Sequence, residues 1–156
     1  MSTEHIDIQI ARNTISNYLK DDEILRNFTV GHGEISIAQG CLLLIGLVIG
    51  IVIGALSGGS LGSSGGGNPW NESIIGLTNK RILVVVIKRR IKEGMYRVVN
   101  SVTIPLDEIK NVDLQESNAG ANIVFLHTSG HYKYKIREQT WINRARTMSR
   151  LLPSTD

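Results

Sequence analysis

The chain has 156 residues and a formal net charge of +3, with 42% hydrophobic and 20% charged residues. That composition is globular and excludes a wholly disordered chain. The single cysteine, Cys41, excludes an internal disulfide and a cysteine-based zinc site, and the absence of any repeat of about 20–50 residues excludes a solenoid or propeller.

Charge is unevenly distributed. Residues 1–40 carry three Lys/Arg against six Asp/Glu, residues 41–71 carry no charged side chain, and residues 72–156 carry fourteen Lys/Arg against eight Asp/Glu. At the N-terminus, Ile8, Ala11, Ile15 and Tyr18 form a thin apolar stripe near helical spacing, which predicts a helix over residues 2–22. The strict alternation of His5–Ile10 is the competing strand reading. It stops at Ala11 while the stripe continues, so the helix is preferred. Residues 24–39 read as extended: Ile24–Val30, a turn at Gly31-His32-Gly33, then the alternating Glu34–Gln39.

Cys41–Leu56 has no polar side chain in sixteen residues, and extension to Leu61 adds only serine and glycine. As a helix, sixteen residues rise about 24 Å, short of a bilayer core of about 30 Å, and the run to Leu61 just reaches it. Glycines recur at 46, 50, 54, 58, 62 and 66, a strict four-residue period. On a helix, Gly46, Gly50 and Gly54 line one face, the spacing that lets helix backbones approach inside a membrane. Ser57–Gly67 is also composed as a flexible linker.

From Asn71 the pattern is β. Strands are predicted over 73–77, 81–88, 95–104, 109–115, 122–128 and 131–137, with polar turns at Thr78-Asn79-Lys80, Arg89–Gly94, Ser117–Gly120 and Ser129-Gly130. Residues 140–152 are predicted helical, with Trp141, Ala145, Met148 and Leu152 on one stripe and Arg144, Arg146 and Arg150 as a solvated face.

Six strands and a helix, with the 24–39 strand as a seventh, give an antiparallel barrel or sandwich of about seven strands capped by a C-terminal helix. Leu77-Thr78-Asn79-Lys80-Arg81-Ile82 and Ile104-Pro105-Leu106-Asp107-Glu108-Ile109 resemble the turn and strand-entry motifs of bacterial PH-like (GRAM-like, pleckstrin-homology-like) domains. The resemblance covers residues 72–152. It implies a fold that is not enzymatic as a class and is often membrane-associated. The basic pattern of phosphoinositide-binding members is absent, so that ligand is not carried over.

The expected organisation is an N-terminal helix and first β segment (1–40), a hydrophobic glycine-zipper membrane segment (41–61), a Gly/Ser linker (62–71) and a PH-like β-domain (72–156). No catalytic Ser/His/Asp arrangement, phosphate-binding loop or dinucleotide fingerprint occurs, and no enzyme activity, cofactor or metal is expected. His127 and His131 flank one turn and form a conceivable two-histidine ligand pair, against the reading of two exposed turn histidines. The basic cluster Lys88, Arg89, Arg90 and Lys92 is the candidate lipid-headgroup contact, against the reading of a solvated hairpin tip.

The expected function is a non-catalytic protein at the cell membrane, its β-domain cytoplasmic, tethering or scaffolding at the inner leaflet and presenting that domain to a lipid or protein partner. One alternative is homo-oligomerisation through the glycine face with the β-domain as a cap. A second is a soluble basic barrel binding nucleic acid, which the low aromatic content (5%) disfavours. Topology is left in conflict: if 41–61 crosses the bilayer once, the strand at 24–39 and the strands after 71 lie on opposite sides; if the 24–39 strand belongs to the barrel, the apolar run is instead a re-entrant or interfacial insertion in the first barrel loop, since two crossings would need about 40 apolar residues.

Overall fold

The computed structural model describes residues 6–34, 71–89, 96–128 and 130–152. The elements are α1 (Ile8–Ser16), β1 (Leu25–Glu34), β2 (Asn71–Thr78), β3 (Arg81–Arg89), β4 (Tyr96–Pro105), a 3-10 turn at Leu106–Glu108, β5 (Ile109–Ser117), β6 (Gly120–His127), β7 (Gly130–Ile136) and α2 (Gln139–Leu151). Seven antiparallel strands form one open sheet in the order β4-β3-β2-β1-β7-β6-β5. The expected mainly-β chain of seven strands with a helix at each end is therefore present. Among the described residues, no helix is long and apolar enough to cross a membrane. The apolar run 41–61, with Gly46, Gly50 and Gly54, lies outside them.

β1 is the strand on which the sheet turns. Leu25–Gly31 pairs with Thr78–Ser73 of β2, and His32–Glu34 pairs with Lys135–Lys133 of β7. The expected turn at Gly31-His32-Gly33 is instead continuous strand. The reason is close approach: a Cβ on Gly31 would lie 3.1 Å from the Lys135 carbonyl oxygen and 3.2 Å from Ile136 Cγ1. Glycine here lets β1 pass from one partner to the other, as strands do at the corner between two packed sheets.

α1 is shorter than the predicted 2–22. The Asp7 carboxylate accepts the Gln9 N–H at 2.7 Å and caps the start. Tyr18 and Leu19 donate to the Ile15 and Ser16 carbonyls, tightening the chain past the helix end. Ala11 and Ile15, both fully buried, dock the helix on the sheet beside Gly76, where any Cβ would meet Ile15 Cδ1 at 2.2 Å. The predicted stripe of α2 is the buried one: Trp141, Ala145, Met148 and Leu152 are all buried, together with Ile142. α2 is fastened to β1 by polar bonds as well. The Thr29 hydroxyl donates to the Trp141 carbonyl at 2.7 Å and the Asn27 amide to the Arg144 carbonyl at 3.1 Å. Arg144 does not belong to a solvated face: its guanidinium carbon lies 4.5 Å from the centre of the Phe28 ring, which itself packs 6.1 Å from Trp141.

The β2–β3 turn is clamped to the chain between α1 and β1. Thr78 Oγ1 accepts the Lys80 and Arg81 N–H groups. Asn79 Oδ1 accepts the Ile24 N–H, and the Asn79 N–H donates to the Ile24 carbonyl. Lys80 pairs with Asp22. Arg81 Nε lies 2.6 Å from Glu23 Oε1, and its NH2 donates to Glu23 Oε2 at 2.8 Å and to the Tyr18 carbonyl at 3.0 Å. The side chains of Arg81 and Glu23 are only 14% and 1% exposed, so this ion pair is buried.

This packing makes three predictions. Arg81→Ala leaves the buried Glu23 carboxylate without its partner and should lower stability by about 3–5 kcal/mol in chemical denaturation. The hydrogen bond from Arg81 holds the Glu23 carboxyl below its ordinary value of 4.5. The folded state then binds the proton less readily than the unfolded chain, so this stabilisation is present above pH 4.5 and is lost as pH falls through the folded value. Glu23→Gln should accordingly flatten the acid limb of a stability–pH curve; an unchanged acid limb would show that the pair contributes nothing. Trp141→Ala removes the ring that β1 and α2 share and should cost about 3–5 kcal/mol, with Trp141 emission blue-shifted and unquenched in the folded Trp70→Phe background.

Candidate functional site

The antiparallel register decides which loops share an end of the sheet. Asn71 at the start of β2 lies opposite Lys88, and Arg89 lies opposite Tyr96 at the start of β4. Glu34 at the end of β1 lies opposite Lys133, and His127 opposite Gly130 at the start of β7. The end of β1, the start of β2, the β3–β4 tip and the β6–β7 turn therefore crowd one end. The β2–β3 and β5–β6 turns lie at the other.

The two ends differ in how their cations are used. At the β2–β3 end, Lys80 and Arg81 are paired with Asp22 and Glu23. At the opposite end, exposed Lys88 lies directly across the ladder from exposed Arg97. Among the described residues neither has a hydrogen-bond or ion-pair partner. Like charges directly opposite in an antiparallel pair are destabilising. The fold thus holds two cations side by side, with no counter-charge among the described residues, at the end where the chain departs for the apolar run. Of the predicted cluster, Lys88 sits there, Arg89 closes β3, and Arg90 and Lys92 lie outside the described residues. Arg97 was missed by sequence reasoning. Its only signal was the hairpin register, and that depends on how many residues the tip takes up.

The predicted histidine pair does not form. His127 lies opposite Gly130, while His131 lies opposite Leu126 one position further on, so alternation sends the two to opposite faces. His127 stacks on Tyr132, with ring centres 5.0 Å apart. Among the described residues, no group of three His, Cys, Asp or Glu side chains converges to hold a metal ion. Burial raises the pKa of the Tyr134 hydroxyl far above its ordinary value and keeps it protonated.

A small cleft lies between Ile6, Val30, His32, Glu72, Arg137 and Trp141, with a volume of about 20 Å³, room for one water. Glu72 Oε2 is buried there without a hydrogen bond. Arg146 forms a forked pair with Glu116 at 2.9 and 2.7 Å, and that bond holds the Glu116 carboxyl below its ordinary range. Both groups are exposed enough that the pair adds little stability.

No family model matches the chain, and neither does any curated protein or solved structure.

Proposed function

We propose that the chain is a non-catalytic, membrane-associated protein of PH-like architecture that holds its β-domain against an anionic inner leaflet and presents it to a lipid or protein partner. The PH-like part of the reading is supported by seven antiparallel strands followed by one helix, with β1 shared between the two halves of the sheet and α2 packed on it. The membrane part is carried by one observation: the strand ends that flank the apolar run lie at the same end of the sheet as Lys88 and Arg97, two exposed cations that have no acidic partner among the described residues. Apolar insertion and anionic-lipid attraction then act on one surface. Each Lys or Arg near an acidic leaflet contributes about 1 kcal/mol. The Lys/Arg excess after the apolar run favours a cytoplasmic β-domain.

Lys88→Gln combined with Arg97→Gln should weaken binding to phosphatidylserine vesicles by roughly 30-fold at low salt, two charges at about 1 kcal/mol each. Because the substitution also removes a like-charge pair, stability should be unchanged or slightly higher. Arg89→Glu with Arg90→Glu should weaken the same binding. Equal binding by wild type and both variants would leave the tip a merely solvated one. The wild-type protein should also stay in the membrane pellet through carbonate and high-salt washes.

The glycine period favours a second reading, self-association within the membrane. Apolar burial does not drive helix association there, so close packing at small residues must do it. Gly50→Leu should abolish cross-linked oligomers, while Val48→Leu should not; equal cross-linking would remove the glycine face from the interaction.

A further inference from the structure

We propose that the free edge of β4 pairs with β4 of a second copy of this chain, antiparallel and about a two-fold axis at Val102. The proposal rests neither on the membrane reading nor on the glycine face; each can fail without the others.

The sheet has two edges, and they are guarded differently. β5 carries charges along its length at Lys110, Asp113 and Glu116, and α2 is bonded across it from Arg146 to Glu116. Charges and a covering helix keep an edge from pairing with other chains. Among the described residues, β4 pairs with β3 alone. Val98–Pro105 has no charged side chain, and Val99, Asn100, Ser101 and Thr103 are exposed, Val99 at 54%. Such an edge accepts a further strand through its main chain. The Ser101 N–H is held by the Asn100 side-chain oxygen at 2.8 Å in an exposed place, a bond that the carbonyl of a neighbouring strand can replace.

Two features set the register. Val86 lies opposite Asn100 and Ile87 opposite Val98, so Val99 is an extra residue bulged from the ladder. Pro105 has no N–H to give. The regular stretch between them is Asn100–Ile104, with its midpoint at Val102. Antiparallel pairing there sets Val102 against Val102 of the second copy, Ser101 against Thr103, and Asn100 against Ile104. Val102 is half-buried against the core and gains apolar cover. Ser101 and Thr103 form a cross-strand hydroxyl pair.

Charge selects the partner and its direction. At one end of β4 stand Lys88 and Arg97, exposed and without an acidic partner among the described residues. Just past the other end stand Asp107 and Glu108, exposed and without a basic partner among the described residues. Antiparallel pairing brings the cations of each copy to the end that carries the carboxylates of the other. Parallel pairing would set cation against cation. The two-fold pair uses the same patch on both copies and leaves no β4 edge to extend.

The test is disulfide trapping in the purified full chain, with Cys41→Ser and one new cysteine. Val102→Cys should give a disulfide-linked dimer on mild oxidation, because its two copies face each other across the axis. Val99→Cys should not, because its copies stand about six residues apart along the strands, roughly 20 Å at about 3.3 Å per residue. Should Val102→Cys fail to fold, Ser101→Cys mixed with Thr103→Cys replaces it, and the mixture should link more than either variant alone. Arg97→Glu should lower the Val102→Cys dimer several-fold, and adding Asp107→Arg should restore it. Gly50→Leu should leave the linkage unchanged, which separates this contact from one through the glycine face. Equal linkage at positions 99 and 102, no linkage at the axis in folded protein, loss of linkage in Gly50→Leu, or no rescue by the charge exchange overturns the proposal.

Discussion

The structure depends on β1 having two partners. Its residues Leu25 and Asn27–Gly31 pair with β2 and its last three residues with β7, so one strand joins what would otherwise be two separate sheets, β2–β4 and β5–β7. The interior that this junction closes is built from both halves, with Ile75, Leu77 and Val84 from one and Ile123, Phe125 and Ile136 from the other. α2 then has a place to dock, because the backbone carbonyls of Trp141 and Arg144 are held by side chains of β1. A strand so central is unusual in being separated from its neighbour β2 by 36 residues of sequence. Closing so long a loop costs little more than closing a short one, since the entropy grows only with the logarithm of length.

The same antiparallel order gives the sheet two chemically different ends. One is sealed: the β2–β3 turn, the chain before β1 and the 3-10 turn are bound to one another through Thr78, Asn79, Lys80 and Arg81, and the Leu106 N–H reaches the Lys80 carbonyl. Its cations are neutralised by carboxylates of the acidic N-terminal segment. The other end keeps Lys88 and Arg97 side by side without an acidic partner among the described residues. The motif Thr78-Asn79-Lys80-Arg81 therefore has a structural use here, which removes two cations from any account of ligand binding.

Much of the fold was legible in the sequence, for local reasons. Strand runs such as Ile82–Ile87 are β-branched and bounded by turn residues, and the stripe of α2 repeats at helical spacing, so their identity follows from side chains within a few positions of one another. The misreadings have a common cause. Gly31-His32-Gly33 looks like a turn until Lys135 and Ile136 are brought against it. Arg144 looks solvated until Phe28 lies beneath it. His127 and His131 look like a pair until the register sends them to opposite faces. In each case the deciding neighbour comes from another element.

By itself the sequence determined seven strands, two helices, the buried stripe of α2 and an uncharged apolar run between the first two strands, because periodicity, turn chemistry and hydropathy are short-range properties. Only the tertiary structure decided that β1 completes the sheet, that both flanks of the apolar run sit at one end of it, and that Lys80 and Arg81 are paired while Lys88 and Arg97 have no acidic partner among the described residues. Arg81 and Glu23 stand 58 residues apart in the chain, and Asn27 and the Arg144 carbonyl 117 apart. Charge neutralisation and strand adjacency at such separations are set by which elements fold against one another, and no local pattern encodes that choice.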